Sequence, residues 1–193
     1  MQDLGSEHKD LIFEFANWIL EENQTEGLKI FTEDIQEVEN MPRADVLDYL
    51  LKKHTSLVID YLEHIIEIWN EPKPLFHNTL IKKYRDKISE CKTDMEVNKN
   101  TQKQSAMEAT RAKLITFLKT SDKYHADKIL VDFPYNDLFE ERAIILGKLK
   151  KHEKVLAIYI QILGDLEKSI EYCGTVYEEN DVKDQEAYII LIR

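Results

Sequence analysis

The amino-acid sequence predicts an all-α protein, an α-solenoid of stacked helical hairpins. Its 193 residues are 43% hydrophobic and 33% charged, with only five glycines and four prolines, a balance typical of long helices with few turns. Apolar residues recur every three or four positions through most of the chain, as they do on the buried side of a helix. From Asp137 to Cys173 the apolar residues spread over more than one side of each helix, which predicts that neighbouring hairpins cover them.

The N-terminal part of the chain, 1–90, is predicted to form helical hairpins. Ser6 is well placed to cap a first helix. The segment 23–34 is shorter and mixed, so it is either a brief second helix or an extended bridge. The first helix carries an apolar stripe that we expect to face the core: Leu11, Ile12, Phe15, Trp18 and Ile19.

Prolines mark the next boundaries. Pro42 suits the first turn of a helix because its missing amide would be unpaired there. A later helix ends near Trp69, since Pro72 and Pro74 disfavour helical geometry in the residues before them. The helix that follows has a modest basic face, which is either a solvated surface or a contact site: Lys82, Lys83, Arg85 and Lys87.

A mobile loop is predicted over 91–108. Between Lys92 and Gln104 there is scarcely an apolar residue, so ordering this segment would gain little burial against its entropy cost. Ser105 and Glu108 have the spacing of a capping box, which predicts that a helix restarts there.

The C-terminal part, 109–193, is predicted to continue the same solenoid. Asp137 and Glu140 have the spacing of a capping box, so we expect a helix to begin near Leu138. After a polar turn, a second helix is closed by Gly164, and Asp165 caps a third. The final stretch, QEAYIILIR, stops inside an apolar run, which is expected of a fragment cut from a longer array.

Small residues at Ala143, Gly147 and Ala157 would let two helices approach, and Tyr159 would fill the space between neighbours. This arrangement resembles tetratricopeptide-like repeats. Val155 stands where that repeat usually has alanine, and the tryptophan and proline landmarks of the repeat are missing. The looser repeats of the clathrin heavy chain type are therefore the better match.

Charge and cysteine content exclude several classes of function. The net charge of -11 repels nucleic acid and anionic lipid, so we expect no nucleic-acid partner. Cys91 and Cys173 are too few for a disulfide framework and lack zinc-site spacing, which suits a reducing cytosol. No signal peptide begins the chain and no stretch approaches the about 20 apolar residues that span a bilayer, so we expect no membrane insertion.

Residues that could carry chemistry are sparse. Glu63, His64 and Glu67 share a helix face, but their order differs from that of helical di-iron and zinc sites, so a surface or core histidine is favoured over a metal ligand. We therefore identify no metal-binding residues and expect no cofactor.

No catalytic arrangement is visible either. His125 and His152 are predicted to lie in turns, far from any activated nucleophile, and the five glycines are isolated rather than gathered into a phosphate-binding loop. Cys173 is predicted to act as a small hydrophobe. It falls on an apparent apolar stripe: Leu166, Ile170, Val176 and Tyr177. We expect a protein that is not an enzyme, and the sequence does not show which residues bind a partner.

Two sequence blocks carry a resemblance to a known family. The first lies between Gly27 and Ile88 and contains GLKIFTEDIQEVENMPRADVLDYL, YLEHIIEIWNE and FHNTLIKKYRDKI. The second, from Phe117 to Cys173, contains FLKTSDKYHADKILVDFPYNDLFEERAIILGKLKKHEKVLAIYIQILGD. In these blocks the chain resembles the middle portion of the Vam6/Vps39 family, subunits of the HOPS tethering complex. The transforming growth factor beta receptor-associated proteins of the CORVET complex share the second block more weakly.

This resemblance implies a central clathrin-heavy-chain-repeat solenoid that bridges a β-propeller and further helical repeats. It implies a non-enzymatic scaffold segment of a vesicle tethering subunit, acting in fusion of late endosomes and autophagosomes with lysosomes. The implied partners are other HOPS-type subunits and Rab-type small GTPases, and the implied location is cytoplasmic, peripheral on late endosome and lysosome membranes. No functional residue carries over, and the segment 92–104 is shorter than the family pattern.

The residues also leave open an adaptor role, in which a concave surface of the repeats binds a partner peptide or a small GTPase. A groove lined by aromatic residues such as Tyr135, Tyr159 or Tyr188 would favour this alternative, whereas a uniformly polar surface would favour a spacer.

Overall fold

A computed structural model of the chain describes residues 9–98 and 102–178. These residues form helices and turns and contain no strand. The chain divides into two compact units between Lys83 and Tyr84. Consecutive helices pack on each other within each unit, so the predicted all-α fold of stacked helical hairpins is confirmed. Ser6 and the final QEAYIILIR stretch lie outside the described residues.

In the first unit, short connections join successive helices. A single 3₁₀ turn, Thr55–Leu57, precedes the fifth helix. The helices are α1 (Lys9–Glu22), α2 (Gln24–Thr32), α3 (Gln36–Glu39), α4 (Arg43–Lys53), α5 (Val58–Glu67) and α6 (Pro74–Asn98), the last of which continues past the boundary.

The hairpin of α1 and α2 depends on a close backbone approach at Gly27. A Cβ atom at this position would lie 2.9 Å from the Cα atom of Leu20, closer than packed atoms allow. Asn23 caps α2 through its side chain, which accepts a hydrogen bond from the Glu26 amide at 3.2 Å. Of the two predictions for 23–34, the helical one is therefore confirmed.

The predicted core face of α1 is only partly correct. Ile12 is buried as expected, and it is joined by Ala16 and Leu20 in the contact with the rest of the unit. The small side chain of Ala16 suits a close helix contact, and a search for large apolar residues overlooks it. Of the other residues of the predicted stripe, Ile19 is half-buried and three are exposed: Leu11 (41%), Phe15 (48%) and Trp18 (65%).

Prolines set the helix boundaries within two residues of the prediction, since α5 ends at Glu67 rather than near Trp69. Pro42 is the N-cap of α4 rather than part of its first turn, and Pro74 is the first residue of α6. Between α5 and α6, Asn70 adopts a left-handed backbone conformation with φ of 51°. The loop is held by the buried carboxylate of Glu71, which pairs with Arg43 at 2.5 Å.

The second unit contains the rest of α6 and the helices that follow it. The connections are short, and α9 contacts α7, α8 and α10. These helices are α7 (Gln102–Thr120), α8 (Ala126–Asp132), α9 (Phe139–Lys148), α10 (His152–Ala157), which continues as the π-helical segment Ile158–Ile162, and α11 (Leu166–Glu178).

The loop predicted over 91–108 is wrong wherever this stretch is described, because 91–98 and 102–108 are helical. The prediction weighed burial alone, whereas the many lysine, glutamate and glutamine residues of this segment have good helix propensity. Ion pairs add local support, since Lys92 pairs with Asp137 and Lys103 with Asp94.

Neither predicted capping box forms. Ser105 and Glu108 lie inside α7. At the start of α9, the N-cap is Leu138 in a left-handed conformation with φ of 52°, and the Asp137 side chain accepts a hydrogen bond from the adjacent Leu138 amide instead. The start of the helix near Leu138 is nonetheless confirmed.

The turn between α9 and α10 is a Schellman motif centred on Lys150, which has φ of 54°. The Lys150 amide donates to the Gly147 carbonyl, and the Lys151 amide donates to the Leu146 carbonyl at 3.0 Å. The next turn follows the prediction. Gly164 has φ of 64°, and Asp165 caps α11 by accepting from the Lys168 amide at 2.9 Å.

A buried apolar cluster joins α9 to α10 and the π-helical segment. Partly buried Tyr172 of α11 packs against the same cluster, so one core serves two successive hairpins. Its buried members are Ala143, Leu146, Val155, Ile158 and Tyr159.

We expect Leu146→Asp to lower the free energy of unfolding by about 4 kcal/mol or more, because it removes a buried side chain and places an uncompensated charge in the cluster. Urea unfolding followed by circular dichroism measures the change. The matched control is Leu166→Asp, at an exposed position in the first turn of α11, which should change stability little. Equal stability of the two variants would contradict the shared core.

We expect Lys150→Gly to raise the free energy of unfolding by up to about 1 kcal/mol, since glycine adopts the left-handed conformation without the penalty of a Cβ atom. Lys154→Gly, inside α10, is the control and should lower stability by about 1 kcal/mol. Melting temperatures of both variants test the assignment of the turn. A loss of stability in Lys150→Gly would be inconsistent with the Schellman motif.

Candidate functional site

The residues singled out as potential metal ligands do not form a site. His64 packs edge-on against Trp69, with ring centroids 4.9 Å apart, and burial lowers its pKa. Glu67 is exposed. Among residues 9–98 and 102–178, no group of three histidine, cysteine, aspartate or glutamate side chains is arranged to hold a metal ion.

The two other histidines that the sequence analysis considered, His125 and His152, differ in their burial. His125 is exposed as the N-cap residue of α8. His152 was predicted to lie in a turn, but it is the first residue of α10 and is buried. Its Nδ1 atom lies 2.7 Å from the Tyr172 hydroxyl, so it links the hairpin to α11.

Cys173 is fully buried beside Leu156 and Val176, and burial raises the pKa of its thiol. Its predicted role as a small hydrophobe agrees with this packing. The apolar stripe assigned to it is wrong in part, because Leu166 and Ile170 are exposed while Cys173 and Val176 face the core.

Part of the predicted basic face of α6 takes part in contacts within the protein. The Arg85 guanidinium donates to the Asp86 carboxylate at 2.7 Å and to the Asp132 carbonyl at 2.6 Å, so it contributes to folding of the second unit. Lys82 and Lys87 are exposed. This distribution gives no single concentrated basic patch.

A groove of about 400 Å³ lies between α9 and α11, which we call the α9–α11 groove. Gly147 lets the Tyr172 ring approach α9 closely at this groove, because a Cβ atom there would lie 3.2 Å from the ring. The floor is largely apolar and consists of Ala143, Ile144, Gly147, Tyr159, Tyr172 and Val176.

Two tyrosines shape the floor of the groove. The rings of Tyr159 and Tyr172 have centroids 6.3 Å apart, in a tilted arrangement. Burial raises the pKa of Tyr159 to about 12, so its hydroxyl stays protonated at neutral pH. Tyr135, by contrast, is 80% exposed beneath the Arg142 guanidinium and does not line the groove. Tyr188 lies outside the described residues.

Charged residues form the rim. At one end, Lys168 of α11 pairs with Glu140 of α9 at 2.9 Å. At the other end, Lys148 donates to the Ser121 carbonyl and lies 5.0 Å from the centre of the Tyr124 ring. Lys119 and Glu171 complete the charged part of the lining.

A buried ion pair positions α9 under the groove. Glu141 is fully buried, and both of its carboxylate oxygens accept from the Arg111 guanidinium, at 2.6 Å and 3.2 Å. The arrangement is bidentate, which fixes α7 against α9. Sequence reasoning missed this pair, because nothing local distinguishes Glu141 from its neighbour Glu140.

The lysines of the rim were also missed, since Lys119 and Lys148 are far apart in sequence and only the fold brings them to one groove. Of the groove residues, the sequence pointed to the small side chains and to Tyr159. The sequence indicated the apolar floor of the α9–α11 groove but not the charged residues of its rim.

No helix in the described part of the chain combines the length and the apolar character needed to cross a membrane. Stacked helical hairpins with a surface groove define the class: an all-α, repeat-like protein.

Curated proteins of one kind resemble the chain along most or all of its length. It is 47% identical over 180 residues to the vacuolar protein sorting-associated protein 39 homolog of Drosophila melanogaster, which covers 93% of the chain and 20% of the relative. It is 39% identical over 201 residues to the Vam6/Vps39-like protein of Homo sapiens, covering 100% of the chain and 23% of the relative. The chain is thus a homologue of the Vps39/Vam6-like proteins.

A more distant relative is the transforming growth factor-beta receptor-associated protein 1 homolog of Danio rerio. The chain is 29% identical to it over 175 residues, which is 89% of the chain and 20% of the relative. The chain spans about a fifth of the length of the curated relatives that it matches. No protein-family profile matches the chain. No solved structure matches it either.

We expect Cys91 to react with a thiol reagent such as Ellman's reagent in the folded protein, and Cys173 to react only on unfolding. Cys91 is half-exposed, whereas Cys173 is fully buried. The raised pKa of Cys173 keeps its thiol protonated at pH values at which an ordinary cysteine thiol begins to ionise. The Cys91→Ser variant should therefore show no fast reaction in native buffer. Rapid labelling of Cys173 in that variant would contradict its burial.

Proposed function

We propose that this chain is a non-enzymatic scaffold segment of a HOPS-type vesicle tethering subunit that acts in fusion of late endosomes and autophagosomes with lysosomes. The observation that carries the proposal is the 47% identity, over 93% of the chain, to a relative named for vacuolar protein sorting. The partners would be other subunits of such a complex, and the location would be peripheral on late endosome and lysosome membranes.

The packing of the second unit supports a scaffold role. Hairpins that share one buried cluster resist separation, because exposing its five side chains to water is unfavourable. The polar contacts Arg111–Glu141 and Lys168–Glu140 add directional links from α9 to the helices on either side. Such packing holds the helices of the second unit in a fixed arrangement.

A second candidate function is an adaptor that binds a partner peptide or a small GTPase. The α9–α11 groove favours it, because Tyr159 lies in the groove as the adaptor hypothesis expects. The surface is also not uniformly polar, since Trp18, Val131 and Tyr135 are among its exposed large apolar residues. The two functions are compatible within one segment.

The scaffold proposal is tested by exchanging segments in the full-length Drosophila relative. The region that aligns with this chain is replaced by this chain, in cells that lack the endogenous protein, and delivery of endocytosed cargo to lysosomes is measured. We expect the exchange to restore delivery, and the same exchange with Leu146→Asp to fail, because the hairpins no longer pack.

Leu166→Asp in the same exchange is the matched control and should restore delivery, since this residue is exposed. Normal delivery after deletion of the aligned region would overturn the scaffold proposal. So would an exchange protein that is expressed and folded but inactive.

A further inference from the structure

The rim of the α9–α11 groove is unevenly charged. At the end where both helices begin, Lys168 and Glu140 neutralise each other at 2.9 Å. Lys148, the last residue of α9, and Lys119, in the last turn of α7, also line the groove and form no such pair. This local excess is notable in a chain of net charge -11.

These two lysines lack a carboxylate partner among the described residues. Lys148 contacts a backbone carbonyl and an aromatic ring, and partial burial lowers its pKa while the charge of Asp122 raises it. Asp122, whose charge acts on Lys148, is paired with Lys123 at 3.2 Å. Lys119 is exposed at the mouth of the groove. A carboxylate entering here would meet the exposed Lys119 ammonium, and Lys148 belongs to the same lining.

The floor between the charged ends suits apolar side chains. Ile144, Tyr172 and Val176 contribute apolar surface, and the small residues Ala143 and Gly147 leave room above α9. A volume of about 400 Å³ lies within the range of about 300–1,000 Å³ that is usual for binding pockets. The groove can thus accept a few side chains of a peptide but not a folded domain.

We propose that the α9–α11 groove docks an acidic, apolar peptide segment of a partner protein. Its apolar side chains pack on Ile144, Tyr172 and Val176, and its carboxylates lie at Lys119 and Lys148. This inference deepens the adaptor role and does not depend on the tethering role.

Charge argues against the other occupants. A basic segment would place like charges beside Lys119 and Lys148, and the only carboxylate of the lining outside the Lys168–Glu140 pair is Glu171. A second copy of this chain would bring a net charge of -11 toward another of -11. An acidic segment is thus the best match to the rim.

The test is selection of random phage-displayed peptides on the immobilised chain, followed by fluorescence anisotropy of the most enriched peptide. We expect enriched sequences in which aspartate or glutamate flanks leucine, phenylalanine or similar residues. Binding should weaken with added salt, because part of it is electrostatic.

Variants locate the binding site. Thr175→Trp fills the groove from its rim and should abolish binding, whereas Glu167→Trp adds the same side chain to α11 outside the groove and should leave it unchanged.

Lys119→Glu should weaken binding by about tenfold, and Lys128→Glu, an exposed lysine of α8 outside the groove, should not. Glu171→Gln should strengthen binding, because it removes the opposing charge. Thermal melts confirm that each variant is folded.

The proposal is overturned if no sequence is enriched over beads without protein, if the enriched peptides are basic, or if Thr175→Trp and Lys119→Glu bind as the unaltered chain does. Dimerisation that Thr175→Trp abolishes, seen by sedimentation, would also overturn it by identifying a second copy as the occupant. Each of these failures is independent of lysosomal delivery in the segment exchange, so it is distinguishable from failure of the scaffold proposal.

Discussion

The second unit depends on the contact between α11 and α9, where the Tyr172 ring rests against Gly147 at a distance that leaves no room for a Cβ atom without displacement. This contact brings Tyr172 to the cluster formed by α9, α10 and the π-helical segment, and brings its hydroxyl to His152. Without it, the outer side of Ala143 and Tyr159 would face water. Gly147 thus allows this close approach of α11, and a Cβ atom there would require the Tyr172 ring to shift by a few tenths of an ångström.

Polar contacts fix the geometry of this stack more than they add to its stability. Burying the Glu141 carboxylate is unfavourable by several kcal/mol, and its bidentate pairing with Arg111 roughly offsets that cost. The pair nevertheless allows only one alignment of α7 and α9, since any slip would leave the buried charge unpaired. The pKa of Arg111 is raised by its hydrogen bond to Glu141, which agrees with a guanidinium held in its charged form. Lys168 and Glu140 are more exposed and so contribute mainly to alignment.

Much of the fold follows from the sequence, because the residues that begin and end helices act on their near neighbours in the chain. Gly164 and Asp165 were assigned correctly, since a left-handed glycine and an N-cap aspartate need only their immediate neighbours. The errors have two causes, tertiary contacts that no local pattern shows and helix propensity that was given too little weight. On α1, a periodic pattern fits two adjacent faces, and the close approach of Gly27 to Leu20 selects the one that contains Ala16. In the segment predicted as a loop, helix propensity and pairing of charges outweighed the lack of burial.

The candidate site, like the fold, could be predicted only in part from the sequence. The sequence indicated its floor, because small residues and Tyr159 are recognisable in a helical repeat, but Lys119 and Lys148 have no sequence signal that connects them. The separation between the apolar floor and the charged rim has a physical consequence. The floor shares Ala143 and Tyr159 with the buried core, so it cannot change without loss of stability, whereas the rim is solvated and can change almost freely. In the proposed roles, the buried core would keep the shape of the scaffold while the charges at its groove would set which segment it accepts, so mechanical support and partner selection would rest on different residues of the same two helices.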